Sequence, residues 1–548
     1  MREPIFGEDT WLSGKPWHDC GIIPPKAGEK IIAQMLDIYA VNREPRLLHP
    51  EWEKAAEAKL SALEKKVGKK PNLLIFLMDD VGWGDMGCYG GGHLRGAPTP
   101  NFDRAAAGGL RLTSCYSQPS CSPSRASIMT GRLPIRHGIL RPPMYGEAGG
   151  LDAEVTFAEL LKKAGYVTRA VGKWHCGENA ASVPQNKGFD EFYGFYGVSD
   201  MYTEWRDNYF YPEIVNDPFA FAALQAAKFN KHNILAKTGQ FDIREIEQEE
   251  IDLVTVKDLD EKWAEYSEKF IRSMAKSDKP WLLYHATRGC HFDNYPPDKF
   301  KGKSCAKYPF TDVLVECDDI FGRLFRALEE TGQLENTLIF IASDNGPEME
   351  SWPDSSYTPF RGAKGSTWEG GIRVPGIFYW KGMIEPGRVS DGLFDFCDIL
   401  PTFCALAGVE DLPQDRYIDG IDQRGFLLTA SAAAGTYWAM DPAWSSNRTA
   451  VYAYLLDHPA AIRLGAMKFV SVGIEMGAVP DSVTPGGFCG YLAHYPYGKV
   501  FNLFLDPKEE HSFLARKVLY APVANLLTQR QQKTFEKYPP RIQISGAP

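Results

Sequence analysis

An α/β fold, built on a large mixed and mostly parallel sheet flanked by helices, is what this sequence predicts. Three observations lead there. From Asn72 onward, short apolar runs alternate with amphipathic helical stretches, the pattern of βαβ units. The 548 residues are 44% hydrophobic and 13% aromatic, enough for a large core and too many for disorder. Four of the apolar runs end in charged or ligating residues, and in open α/β sheets sites lie at the carboxyl ends of strands.

The elements follow in order. Residues 1–50 are mixed and punctuated by proline, and Glu51–Lys66, rich in Ala, Glu and Lys, reads as a surface helix leading into the first strand. Asn72–Met78 is a buried strand that ends in Asp79-Asp80. Val167–Val171 ends in Gly172-Lys173-Trp174-His175, and Trp281–His285 is followed shortly by His291. Thr337–Ala342 ends in Ser343-Asp344-Asn345-Gly346. Four strands thus aim polar groups at one edge, which argues for a single site. Further on, Leu406-Ala407-Gly408 closes a helix and Asp419-Gly420-Ile421-Asp422 makes a turn. Short strands follow around Thr449–Tyr454 and Ala461–Val472.

The net charge of −10 and pI near 5.7 argue against nucleic acid or an anionic membrane as partner. A basic pocket for a small anion must then be local. Met1 to Asp19 holds no apolar run of signal-peptide length, and no stretch of about 18 apolar residues occurs to span a membrane. The eleven cysteines are scattered and odd in number, which fits reduced thiols better than a disulfide framework. A cytoplasmic location is the expectation.

The run Ser120-Cys121-Ser122-Pro123-Ser124-Arg125 is the most informative. It opens a helix, with Ser122 suited to the N-cap and Pro123 to the first helical position. Cys121 then sits at the positive end of a helix dipole with Arg125 one turn along, where an anionic group would be drawn to a nucleophile. On these residues alone, a buried structural cysteine beside a surface arginine stays open. The run, continuing through Thr130-Gly131-Arg132, resembles the sulfatase motif Cys-x-Pro-Ser-Arg with its Thr-Gly-Arg turn. Gly165-Tyr166-Val167-Thr168-Arg169-Ala170-Val171-Gly172-Lys173-Trp174-His175 is similar to the same family's second diagnostic stretch. The chain is identified as a member of the type I, cysteine-type sulfatases of the alkaline phosphatase superfamily, from about Pro71 to about Pro507. Residues 1–70 and roughly 201–265 match nothing in that pattern.

The resemblance implies a catalytic domain over residues 71–425 after an N-terminal extension, 1–70. A smaller C-terminal α+β domain, 426–548, would carry a short antiparallel sheet, with Val500–Pro507 as its strand and turn. It implies that Cys121 is oxidised to Cα-formylglycine by a formylglycine-generating enzyme. The hydrated aldehyde would attack sulfur and form a sulfated-enzyme intermediate. Asp79, Asp80, Asp344 and Asn345, joined by the modified Cys121, would hold Ca²⁺, with Mg²⁺ the other candidate. Oxygen-only donors suit these hard cations rather than zinc. Arg125, Lys173 and Lys364 are the cations for the sulfate, the last in Arg361-Gly362-Ala363-Lys364…Glu369-Gly370-Gly371-Ile372-Arg373-Val374-Pro375, which resembles a further family segment. Arg361 and Arg373 are expected to support that loop. Asp344 would help deprotonate the nucleophile, His291 or Lys364 would protonate the leaving alcohol, and His175 would deprotonate the remaining hydroxyl. Ser199 is a candidate sulfate contact.

Three function classes compete. A phosphodiesterase or phosphonate monoesterase on the same scaffold is disfavoured by Asn345, where those relatives commonly carry His, and by the intact Cys121 motif. A catalytically dead binding protein is disfavoured because every mapped position is present. A sulfuric ester hydrolase acting on a small-molecule sulfate ester remains; a homo-oligomer is left open. The aromatics of Met201–Trp205 and Tyr209–Tyr211 are expected to line the pocket mouth and favour an aryl or other hydrophobic sulfate; the reading in which they pack the insertion onto the body of the enzyme stays open beside it.

Overall fold

The computed structural model describes residues 42–47, 49–143, 147–198, 204–226, 232–349, 354–429, 446–475, 490–512 and 514–541. Residues 1–41, Ser199, Met201 to Thr203, Cys20 and Cys489, on which some of the expectations above fall, lie outside the described residues.

Eleven strands make the large sheet: β1 (Asn72–Met78), β2 (Leu110–Tyr116), β3 (Val167–Lys173), β4 (Glu191–Phe195), β5 (His232–Lys237), β6 (Glu247–Glu250), β7 (Trp281–Ala286), β8 (Thr337–Ser343), β9 (Arg373–Tyr379), β10 (Arg388–Ser390) and β11 (Phe394–Asp395). Their order is β10-β2-β9-β8-β1-β7-β3-β4-β5-β6, with β11 also pairing with β2. The central run β8-β1-β7-β3-β4 is parallel throughout, whereas β9, β5 and β6 pair antiparallel. The sheet is mixed and parallel at its centre, as the alternating pattern predicts.

The principal helices are α1 (Pro50–Val67), α2 (Pro100–Ala107), α3 (Cys121–Thr130), α4 (Phe157–Lys163), α5 (Leu259–Ser273), α6 (Pro309–Glu330), α7 (Ile399–Leu406) and α8 (Leu514–Lys537). Alternation along a strand sends successive side chains to opposite faces. Leu73, Ile75 and Leu77 of β1 therefore pack in one layer with α1, α3, α4 and α7. Leu74, Phe76 and Met78 pack in the other with α2, α5 and α6. All seven residues of β1 are buried, the reason its sequence is a continuous apolar run rather than an alternating one.

A separate antiparallel sheet of β12 (Ala450–Leu455), β13 (His458–Leu464), β14 (Met467–Glu475) and β15 (Tyr491–Asn502) lies toward the C-terminus. The expected strand over Ala461–Val472 is in fact parts of two, β13 and β14, paired Leu464 to Met467 around Gly465 at φ +55°. A glycine inside an apolar run was the missed turn signal. One face of this sheet, through Val451, Ala453, Ala461 and Phe501, packs on Tyr116 at the end of β2 and on Trp368 and Ile372 of the segment before β9. Tyr452, Tyr454 and Ile462 pack instead with Leu133, Ile135 and Leu527 of α8.

The nine described cysteines are all free. Among the described residues, no helix is long and apolar enough to cross a membrane.

Candidate active site

Strands β8, β1, β7 and β3 are neighbours, and their registers bring Met78 level with Ser343, and Leu77 and Gly172 level with Ala286. Their carboxyl ends therefore finish together, and Asp344 and Asn345, Asp79 and Asp80, His291, and Lys173 and His175 emerge side by side. Asp80 and His175 leave their strands with left-handed backbone, at φ 59° and 56°. A non-glycine residue holds that conformation only where its surroundings impose it, and such residues gather at functional sites.

Helix α3 begins at Cys121 itself, so the N-cap is Ser120 and not Ser122, and Pro123 is the third helical residue rather than the first. The first four N–H groups of a helix have no intrahelical partner, so proline loses no bond at that place either. The Ser122 hydroxyl is buried without a hydrogen-bond partner. The helix closes at Gly131, in left-handed conformation, as the Thr-Gly-Arg turn implies.

The side chains interlock. Arg125, fully buried, donates from Nε to Asp344 Oδ2 at 2.9 Å and from Nη1 to the Lys173 carbonyl at 2.8 Å. Lys173 Nζ donates to Asp79 Oδ2 at 2.5 Å, and Lys364 Nζ to Asp80 Oδ2 at 2.8 Å. Asn345 Nδ2 donates to Asp80 Oδ1 at 2.6 Å. His291 Nε2 lies 3.2 Å from Lys364 Nζ, and His291 Nδ1 lies 2.5 Å from the Phe292 carbonyl. An ammonium can only donate and a carbonyl only accept, so the His291 proton sits on Nδ1 and Nε2 is the acceptor. Both His175 nitrogens are buried without a hydrogen-bond partner among the described residues. The structure thus brings together Cys121, Arg125, Lys173, His175, His291, Lys364 and the four proposed metal ligands; Ser199 lies outside the described residues.

Electrostatics sorts these groups. Burial works to raise Asp79, but the cations Lys173, Arg125 and Lys364 hold its carboxyl well below the usual range. Burial pushes Asp80 up to about 6 against Lys364, and Asp344 up to about 7 with help from Asp79 and against Arg125. The Cys121 thiol rises to about 11 through burial, with Lys173 and Lys364 pulling the other way. His175 and His291 lie well below 6.5, through burial first and then their cationic neighbours. Each is held neutral, so the expectation that His291 would serve as an acid is not favoured by its surroundings.

Buried acceptors without partners test the metal expectation. Asp79 Oδ1 and Asn345 Oδ1 are such atoms. Ligand atoms of Asp79, Asp80 and His291 lie within 4.8 Å of one another. The residues fit a divalent cation, and carboxylate and amide oxygens favour a hard one. His291 lies beside this set, with its Nε2 taken up by Lys364. Glu348, three residues past Asn345, acts on Asp80 and Lys364 and was missed by sequence reasoning, as was Tyr284 beside Arg125.

Arg361 donates to the Glu509 carbonyl and to Glu475 and stacks on Trp368, while Arg373 reaches the Thr113 carbonyl and Glu369. Both brace the loop that carries Lys364. Trp205 is 5% exposed and packs edge-on against Phe221, whereas Tyr209 is 84% exposed.

Paired carboxylates, cations and a buried helix-opening cysteine at the tips of a central parallel sheet define a hydrolase of the alkaline phosphatase superfamily that handles a tetrahedral oxyanion. The chain belongs to the sulfatase family, whose model matches residues 71–409; a second model, the C-terminal domain of the sulfatase AslA, matches residues 460–538. It is 32% identical to human arylsulfatase A over 458 residues, 82% of this chain and 84% of that one. It is 36% identical to human N-acetylgalactosamine-6-sulfatase over 370 residues, 65% of this chain, and spans about two thirds (66%) of that relative's length. The crystal structure of the sulfatase PsFucS1 from Pseudoalteromonas sp. superposes with a TM-score of 0.83 at 40% identity, covering 91% of this chain and 97% of that one.

Proposed function

We propose that this sulfatase hydrolyses sulfate esters with Cys121, oxidised to formylglycine by a modifying enzyme, as the nucleophile. The observation that carries the reading is the convergence of Cys121, Arg125, Lys173 and Lys364 on the buried carboxylate set at the tips of β8, β1, β7 and β3. A thiol held near 11 is a poor nucleophile at neutral pH, which supports the need for modification. A divalent cation held by Asp79, Asp80, Asp344 and Asn345, with His291 adjacent, would supply Lewis-acid stabilisation of the sulfate oxygens.

The chain's own residues have separable roles in this reading. Arg125 and Lys173, both buried, present positive charge to the sulfate, and charge is worth most where the surroundings are poorly solvated. Lys364 is the proton donor to the leaving alcohol, because neutral His291 offers that side only the Nε2 acceptor, which receives from Lys364. His175, neutral and with both nitrogens open, is the base that takes a proton from the modified side chain at position 121.

A carbohydrate alcohol is the favoured substrate. The polar residues Asp293 and Asn294 are buried just beyond His291, and a 36% identical relative is named for a sulfated amino sugar. The aryl expectation rested on the aromatics after Ser199, and Trp205 among them is committed to Phe221. Rates on a sulfated hexosamine, an aryl sulfate and an aryl phosphate diester test the assignment, with peptide mass spectrometry of position 121 on the same sample. The expected order is hexosamine sulfate, aryl sulfate, phosphodiester. Faster turnover of the diester would overturn the sulfatase assignment, and an active enzyme with fully thiol-alkylated Cys121 would overturn the nucleophile.

A further inference from the structure

Lys364 lies on a loop that is bonded to both the Asn345 segment and the Cys121 segment. Its own N–H bonds the Pro347 carbonyl, two residues past Asn345, at 3.0 Å, and Gly365 N–H bonds the Pro119 carbonyl, two residues before Cys121, at 2.6 Å. Ser117 N–H bonds Ile372 O at 2.8 Å, and Gly346 N–H bonds Gly371 O at 2.9 Å. The loop ends in Glu369, which is fully buried. Glu369 Oε2 accepts from Tyr116 Oη at 2.6 Å, at the end of the strand leading to Cys121.

The other half of Glu369's surroundings comes from the small sheet and the turn after its last strand. Lys468 of β14 donates from Nζ to Glu369 Oε1 at 3.0 Å and to the Thr367 carbonyl at 2.8 Å, and pairs with Glu509 Oε1 at 2.9 Å. Glu509 Oε2 accepts from the Glu369 N–H at 2.7 Å. Arg463 of β13 donates to the Tyr116 hydroxyl and to Ser114 Oγ. Lys468 and Glu509 are 1% and 0% exposed. Desolvating such a cluster is costly, and an apolar replacement of the same volume is often as stable, so stability alone gives no reason for charges here. What charges give, and methyl groups do not, is a fixed place for each donor and acceptor.

We propose that Lys468 of the small sheet and Glu509, just past its last strand, are positioning residues for the reaction: through Glu369 they fix the loop carrying Lys364 against the segment leading to Cys121. Neither touches substrate; both act through Lys364. The proposal rests on Lys364 being the proton donor to the leaving alcohol.

The test uses the full chain carrying modified Cys121 and a series of substituted phenyl sulfates. Lys364→Ala, Lys468→Met and the double variant are compared by kcat and KM, with melting curves beside them. A misplaced proton donor hurts poor leaving groups most. Lys468→Met is expected to lower kcat by about 10²-fold on the poorest leaving group and little on the best, with KM changing about twofold or less. In the Lys364→Ala background the same change should add almost nothing. An equal loss across the series, or full additivity with Lys364→Ala, would overturn the proposal and leave Lys468 a fold residue. A flat response of Lys364→Ala itself would instead overturn the proton-donor assignment, and this proposal with it. Should Lys468→Met fail to fold, Glu509→Gln, which keeps the volume, is held to the same criteria.

Discussion

Replacing Gly172 with alanine separates the cost of a strained backbone from the cost of moving a functional side chain. Gly172 has φ +91°, and a Cβ there would collide with the Ala286 carbonyl oxygen of the neighbouring strand β7. Gly165, at the head of the same strand, has the same φ of +91° and nothing within 4 Å of its Cβ position. The left-handed conformation costs an L-residue about 1–2 kcal/mol, and forcing a methyl into packed backbone about 1–3 more. Gly165→Ala should therefore lose about 1–2 kcal/mol and Gly172→Ala about 2–5. At about 2.1 cal/mol/K per residue, 548 residues give an unfolding entropy near 1.2 kcal/mol/K. The melting temperature then falls by about 1–2 °C and about 2–4 °C respectively. Activity should diverge much further. Relieving the collision shifts Lys173, the next residue, whose ammonium is held by Asp79, and a displacement of about 1 Å costs on the order of 10²-fold in rate. Scanning fluorimetry and initial rates on one sulfate ester read both numbers from the same preparations. Gly172→Ala with the turnover of Gly165→Ala would refute the claim that this glycine places Lys173.

Three further outcomes follow from the same geometry. Calcium added to metal-stripped protein at about 100 times its Kd should stabilise by about 2.7 kcal/mol and bind near one equivalent by elemental analysis; Asn345→Ala should abolish both effects, and zinc at two equivalents would contradict the hard-oxygen site. His285, fully buried against Phe76 and bonded to Ser267, is held down to about 3 by burial and then Arg323. The unfolded chain, near 6.5, binds the extra proton first, so stability falls with pH below that value; between about pH 7.5 and about pH 5 this group accounts for about 2 kcal/mol. Denaturant titrations at both pH values should show His285→Gln losing that much less than the parent, and parallel losses would refute it. Trp205→Ala should cost about 3 kcal/mol in its packing on Phe221 with KM unchanged; a raised KM at unchanged melting temperature would return Trp205 to the substrate pocket.

Much of the site could be read from the chain because it is written in short segments. Asp79 and Asp80, Lys173 and His175, Asp344 and Asn345 each stand at or just past the end of an apolar strand, and local periodicity alone places them at one end of a parallel sheet. Cys121 at a helix start follows from serines and a proline around it, although the helix begins two residues earlier than capping preference suggests. Tertiary structure decided the rest. No spacing in the sequence reveals that β9 runs antiparallel between β2 and β8, because pairing direction depends on how distant segments pack. The proton on His291 Nδ1 is set by Lys364, 73 residues away, and the neutrality of both histidines by burial among cations from other strands. Lys468 and Glu509 carry no motif at all; they reach Glu369 only because the small sheet docks on the edge of the large one, where desolvated charges must find partners wherever the fold supplies them.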